Sequence, residues 1–354
     1  MNKKAAIIFS RTAWSEPPRI RHQITKMLLD IGYEIFYVET LFHQKKNQNF
    51  NLDPNHKIVV IRELFHHQLK FNFLLSFLNK LFIKMQIASL RKASVGLIIN
   101  FNYDFYYLNE IFPKSNIITI LNDDFISMAK PWMKKESTKL LKKTCQSSNI
   151  ILSVSIPIHN KAYSFSKNAI LFLPWADLNY QKPLMQKSRN VVLYFGYISR
   201  LDLNLVDFIC KSGVQIRFVG PLEGNGYVVK ERYSKKTNIE FIGPINNLND
   251  LYLDDVCCSV ALYDKNDESN LAITASNRMF RLLSLGIPLV YPNMPFLIEA
   301  PINVIKKCDA AEDFIKAFDY FSNNFDLVQS EIEYFLHSHT YQTRKEQFLK
   351  LINN

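Results

Sequence analysis

Short apolar runs rich in Ile, Val and Phe alternate with longer amphipathic segments along nearly the whole chain, and this rhythm leaves few folds open. A parallel strand buried on both faces reads as a continuous apolar run, whereas the helix that returns the chain shows only one apolar stripe. Their alternation is the pattern of crossover units on parallel sheets, so the fold class is α/β. In the first half, strands are expected at 5–9, 34–38, 57–61, 97–100, 117–121, 150–154 and 169–173. Between the first two, Ile20, Ile24, Met27, Leu28 and Ile31 recur at helical spacing, and Gly32 supplies a left-handed stop.

The rhythm breaks over residues 174–190, which hold two prolines, and then restarts. Strands are expected at 191–195, 214–219, 239–242, 256–262 and 287–291, helices near 203–211, 246–253 and 277–285, and helix throughout the last 45 residues. A chain of 354 residues is about twice what one hydrophobic core organises. Two domains follow, 1–180 and 188–340, with a last helix over 341–354 that can return to the first domain.

Charge is uneven. The net charge is +11, yet residues 1–180 hold 24 Lys and Arg against 12 Asp and Glu, so the first half carries the whole basic excess. Such asymmetry implies an anionic partner: a phosphorylated substrate, an anionic membrane surface or nucleic acid. Nucleic acid is the weakest of these, because no recognition motif or aromatic and basic strand platform accompanies the charge. Residues 68–92 interleave Phe71, Phe73, Leu74, Leu75, Phe77, Leu78, Leu81, Phe82, Met85 and Ile87 with Lys70, Lys80, Lys84, Arg91 and Lys92. The stretch fits an anionic membrane interface, or a crossover helix against the sheet.

Several chemistries lose support. There is no GxGxxG and no Walker loop, which argues against nicotinamide dinucleotide and P-loop ATP binding. Five cysteines lie without a CxxC pair or histidines at metal spacing and are expected to be reduced and buried. Only five apolar residues, 5–9, follow the first lysines, too few for a signal peptide or a bilayer span, so a cytoplasmic protein is expected.

Two segments of the second half carry anion-binding chemistry. Residues 194–202 run from a strand into Gly196 and then Arg200, at the strand edge where open α/β sheets bind ligands. Arg200 can pair a diphosphate bidentately or pair locally with Asp202. Residues 275–290 begin with a Ser276-Asn277 cap, continue through Arg278 as a helix and end at Gly286 before a strand. Free N–H groups at such a helix start suit a phosphate, although a plain capped helix reads the same way. Gly220 and Gly243 end the next two expected strands.

These segments, in this order, resemble the GT-B glycosyltransferases of the group that includes family 4 and the related teichuronic acid and capsular polysaccharide enzymes. Residues 14–23 resemble that group's first loop and helix, 151–155 the strand that precedes the interdomain crossing, and 173–177 its Pro-Asn-Gly-Val-Asp-like turn. Residues 194–202 resemble the opening of the donor domain, 218–221 and 239–244 the next two strand ends, and 276–290 the Ser-Pro-x-Lys-x-x-Glu-x-x-x-x-Gly-x-Pro-Val-Val element. Two positions depart. Arg281 stands where the family has the Glu that holds the nucleotide ribose, and Ile273 replaces its partner Glu. The nucleotide is then held by other groups, such as Asn277 and the backbone near Gly243, or the donor is unusual, or the site is degenerate.

The resemblance implies two Rossmann-like domains facing each other across a cleft. It implies a hexosyltransferase that moves a sugar from a nucleotide-sugar donor to a lipid-linked or oligosaccharide acceptor in bacterial surface polysaccharide or lipopolysaccharide assembly. No cofactor and no metal-binding Asp-x-Asp are implied, and the protein would sit peripherally at the anionic inner face of the plasma membrane. Donor contacts fall to Gly196, Arg200, Gly220, Gly243, Ser276, Asn277 and Arg278. Candidate bases are Asp123 and Asp124, which follow an expected strand and also suit turn capping, and Glu16 on the first loop. Arg11, Arg19 and Arg21 are placed to meet an anionic acceptor. The alternative is a GT-B-shaped protein without turnover that binds membrane or an assembly partner.

Overall fold

The computed structural model describes residues 4–16, 19–41, 53–65, 73–92, 95–176, 179–183, 189–245 and 248–353. The chain divides into two compact units: Met1–Leu173 with Phe348–Asn354, and Pro174–Gln347.

Unit 1 is built on one seven-stranded sheet. Its strands are β1 (Ala5–Ser10), β2 (Glu34–Leu41), β3 (His56–Arg62), β4 (Val95–Asn100), β5 (Asn116–Leu121), β6 (Ile150–Ser153) and β7 (Ala169–Leu171), in the order β3-β2-β1-β4-β5-β6-β7. Every pairing is parallel. Helices α1 (Ile20–Asp30), α2 (Phe73–Gln86), α3 (Leu108–Ile111), α4 (Lys134–Ser147) and α5 (Ile156–Phe165) connect them. All six residues of β1 are buried, the pattern of a parallel strand covered on both faces. Ile7 and Phe9 join Val38, Ile98 and the α2-side residues Ile83 and Ile87 in one apolar cluster. A second cluster joins Leu121 and Ile151 to Leu140, Leu141 and Cys145 of α4 and to Ile158 and Ala162 of α5. Near the chain end, Phe348 is buried against Phe172, ring centroids 6.1 Å apart.

Unit 2 repeats the plan. Strands β8 (Val191–Phe195), β9 (Gln215–Val219), β10 (Ile239–Ile242), β11 (Val256–Val260), β12 (Leu289–Pro292) and β13 (Ile305–Cys308) form a parallel sheet in the order β10-β9-β8-β11-β12-β13. The helices are α6 (Leu203–Lys211), α7 (Gly226–Tyr233), α8 (Glu268–Leu271), α9 (Asn277–Ser284), α10 (Ala311–Asn323), α11 (Phe325–His337) and the start of α12 (Tyr341–Asn353), whose residues from Phe348 on belong to unit 1. Helix α9 buries Met279, Phe280, Leu282 and Leu283, and the Phe280 ring stacks on Phe335 of α11. Gln329 of α11 donates to the Gly286 carbonyl at 2.9 Å, fixing the turn after α9.

In both sheets the first strand has the next two on one side and later strands on the other. The order therefore reverses beside β1 in unit 1 and beside β8 in unit 2. At such a reversal the connections leave in opposite directions and open a crevice at the strands' carboxyl ends.

Some expectations need adjustment or lie outside the described residues. Strand β13 and helix α7 were not expected from the sequence, and the helix expected near 246–253 is a single 3-10 turn, Leu248–Asp250, with 246 and 247 outside the described residues. Of the basic amphipathic stretch, residues 68–72, and with them Lys70 and Phe71, lie outside, as do the side chains of Phe73, Arg91 and Lys92. In α2, Leu74, Phe77, Leu81 and Met85 are exposed, while Lys80 and Lys84 both pair with Glu110. No helix among the described residues is long and apolar enough to cross a membrane. All five cysteines are free and buried.

Candidate functional site

The reversal point of unit 1 opens into a cavity of about 180 Å³. Its walls come from the end of β1 and the loop after it (Ser10, Arg11, Thr12), the loop after β4 (Phe101, Asn102, Tyr103), the loop after β5 (Asn122, Asp123, Phe125) and Arg21 in the first turn of α1. All but Arg21 sit at or just past a strand's carboxyl end. Asn100 holds the middle loop: its side chain accepts from the Asn102 amide and donates to the Asn102 carbonyl, both at 2.9 Å.

The structure separates the two adjacent carboxylates. Asp123 lines the cavity and is bonded by the Asn122 side-chain amide. Burial pushes its carboxyl up from the ordinary aspartate value, and Arg19 and Arg21 pull it back only in part. A buried carboxyl with a raised pKa beside a cavity is a candidate proton acceptor. Asp124 has different work. It accepts from the Ile126 and Ser127 amides at 3.2 and 3.1 Å and pairs with Lys161 at 3.0 Å. Burial raises its carboxyl, but the Ser127 amide and the Lys161 ammonium outweigh that and hold it below the ordinary value. Its geometry is that of a turn cap, not of a base.

The three arginines also part company. Arg11 is held by Asp104 at 2.7 and 2.9 Å and by Glu63 at 2.7 Å, and its guanidinium lies 5.2 Å from the Phe105 ring centre. Two buried carboxylates thus consume the charge that the sequence offered to an anionic acceptor. Arg21 is 3% exposed and reaches Glu16 at 3.3 Å. Arg19 is exposed at the start of α1, its amide donating to His22 Nδ1 at 3.1 Å.

At the reversal point of unit 2, Arg278 reaches from the first turn of α9 to the end of β8. Its Nη1 donates to the Phe195 carbonyl at 2.7 Å, and its guanidinium faces the Tyr263 ring just beyond β11, 5.3 Å from the centre. Ser276 caps α9 by accepting from the Met279 amide at 3.1 Å, and the Asn277 Oδ1 is buried without a hydrogen-bond partner among the described residues. Anionic groups are favoured at such a helix start, where amides point outward and a cation stands beside them.

Two glycines make this approach possible. Gly196 has φ +131°, and a Cβ there would lie 2.1 Å from Arg278 Nη1. Gly220 has φ +140°, and a Cβ there would lie 2.0 Å from the Gly196 carbonyl oxygen, a backbone atom that cannot swing aside. Gly220→Ala is expected to cost about 1–3 kcal/mol from backbone strain alone. Urea denaturation measures it, and an unchanged midpoint would remove the close approach from the account.

The remaining donor candidates are less involved. Arg200 adopts φ +50° and is largely exposed, with Asp267 at 4.0 Å. Asp202, its alternative partner by sequence, instead caps α6 through the Asn204 and Leu205 amides at 3.0 and 3.1 Å. Gly243 is exposed, and a Cβ there would meet no described residue within 4 Å. Asn102, Tyr103, Phe125 and Tyr263 were missed from the sequence. The polar and aromatic run 100–104, directly after an expected strand, was the signal for the first two.

No family model and no curated protein matches the chain. Solved structures do. Sucrose-phosphate synthase from Thermosynechococcus elongatus is 11% identical with a TM-score of 0.73, covering 99% of this chain and 98% of that one. HepE of Anabaena, in complex with UDP and glucose, is 10% identical with a TM-score of 0.69, covering 100% of both. The lipopolysaccharide outer core galactosyltransferase WaaB, in its apo form, is 12% identical with a TM-score of 0.65, covering 99% of both. These likenesses span the whole chain and establish its fold as GT-B.

Proposed function

We propose that this protein is a glycosyltransferase that moves a hexosyl group from a nucleotide-sugar donor to a saccharide hydroxyl. The observation that carries the reading is Arg278, fixed over Gly196 at the start of α9. There the diphosphate of a donor would meet outward-pointing amides and a guanidinium, which can stabilise it as the leaving group without a metal ion. HepE, solved with UDP and glucose, supports a nucleotide sugar as that donor. In unit 1, Asp123 would take the proton of the attacking hydroxyl.

The acceptor in this proposal is a lipid-linked saccharide of bacterial surface polysaccharide assembly, met at the inner face of the plasma membrane. The basic excess of residues 1–180 and the exposed apolar residues of α2 support membrane docking. The description of WaaB as a lipopolysaccharide galactosyltransferase supports the pathway.

Thermal melting with UDP-, GDP-, dTDP- and CMP-sugars tests the donor. A ligand at 100 times its Kd stabilises by about 2.7 kcal/mol, so one nucleotide class should raise the melting temperature. Arg278→Ala should weaken that nucleotide by about 1.5–3 kcal/mol, the range for hydrogen bonds to charged groups. Silence across the panel would favour a GT-B protein without turnover, the reading that Arg281 and Ile273 suggest. Equal affinity in wild type and variant would remove Arg278 from the donor site.

A further inference from the structure

The lining of the unit 1 cavity has more donors than the protein satisfies. Arg11 Nε, Arg21 Nε and Asn102 Nδ2 are buried without a hydrogen-bond partner among the described residues, and all three belong to residues of the cavity wall. A buried donor left unmet carries its full desolvation penalty, and three around one space call for a ligand rich in oxygen acceptors.

Charge decides which oxygens. Arg11 is a single cation held between two carboxylates, Glu63 and Asp104. Arg21 lies against Glu16, and Asp123 adds another carboxyl to the same wall. Even with the exposed Arg19 counted, the described residues here set three arginines against four carboxyls, Glu16, Glu63, Asp104 and Asp123, so no positive charge is left in excess for a phosphate or carboxylate, which the surrounding acids would disfavour. A hydroxyl suits both halves of the wall, since it accepts from an N–H and donates to a carboxylate. The remaining wall is aromatic. Phe101, Tyr103 and Phe125 line the cavity, and the last two rings stack at 5.2 Å and 25°. Such a surface covers the apolar C–H face of a sugar ring. At about 180 Å³ the cavity is smaller than the usual site for a drug-sized ligand, and one ring fills it.

We infer that this cavity binds one uncharged sugar ring, its hydroxyls bridging the unmet donors of Arg11, Arg21 and Asn102 to Asp123, and its C–H face packed on Tyr103 and Phe125. That the ring is the end of the acceptor rests on the transferase reading; the binding itself does not. The sequence had pointed to an anionic group at the same arginines, and the carboxylates around them reverse that choice.

Asn102 offers a clean variant, because its backbone, not its side chain, makes the bonds that hold the loop. Asn102→Ala removes an unmet donor and should leave the melting temperature equal or higher. Saturation-transfer NMR with the methyl glycosides of glucose, galactose, mannose and N-acetylglucosamine, with glucose 6-phosphate and glucuronate as anionic counterparts, reads the binding. At least one neutral glycoside should saturate, with transfer to its C–H protons, and weaken by about tenfold or more in Asn102→Ala and in Phe125→Ala, one lost hydrogen bond or ring contact each. Tighter binding of either anion, no binding of any neutral glycoside, or unchanged affinity in both variants overturns the inference. A UDP, GDP, dTDP and CMP titration on the same protein separates the two readings. Glycoside binding without any nucleotide binding would sink the transferase reading alone, and nucleotide binding without any glycoside would sink this one alone.

Discussion

Replacing Asp123 with asparagine is expected to lower turnover by about 10²- to 10⁴-fold, the range for losing a positioned general base, while nucleotide binding stays intact. Asparagine keeps the size of the side chain and its carbonyl oxygen, but it cannot take a proton. The pH profile gives a second reading. Burial raises the Asp123 carboxyl above the ordinary aspartate value of about 3.9, against the pull of Arg19 and Arg21. The rising limb of kcat/KM should therefore lie above that value, and the variant should lose it. The linkage sign runs the other way for stability. A carboxyl that binds its proton more tightly folded than unfolded stabilises at low pH, and that contribution is lost as pH rises through the folded-state pKa. Asp123→Asn should accordingly be slightly more stable than wild type near neutral pH while turning over far more slowly. Initial-rate kinetics and melting on one preparation check both, and wild-type turnover in the variant would remove Asp123 as the base.

The largest stability effect is expected at Arg11. Arg11→Met keeps much of the apolar contact with Phe105 but leaves Glu63 and Asp104, at 5% and 3% exposure, without their shared cation. Removing one side of a buried ionic cluster typically costs about 3–5 kcal/mol. The loss should depend on pH. Without the guanidinium the two carboxyls would be neutralised most easily by protons, so the variant recovers stability as pH falls and loses it as pH rises. Denaturant unfolding of wild type and variant across that range measures this. A small, pH-independent loss would mean that the cluster is not the support the structure depicts.

Most of the framework was legible because buried parallel strands write themselves as apolar runs. Strand β1 and the helix stop at Gly32 followed from spacing alone. Strand β13 did not, because Lys306 and Lys307 interrupt it at the sheet edge, where β12 is its only strand partner among the described residues. Site residues were harder. Arg278 was readable because it follows a cap at a helix start, a local signal. Arg11 was placed with an acceptor because its partners lie 52 and 93 residues away, and no local spacing reveals them. Asp123 and Asp124 look alike in sequence. Only the tertiary neighbours, a cavity for one and Lys161 for the other, give them different chemistry.

Incubation of the purified protein with the stabilising nucleotide sugar and a panel of neutral glycosides, followed by mass spectrometry, tests turnover itself. Sugar transfer predicts a glycoside one sugar heavier and the nucleotide freed in equal amount, with both reduced in Asp123→Asn. Donor recovered intact from every mixture, despite demonstrated binding, would contradict it and leave a GT-B protein that binds without transferring.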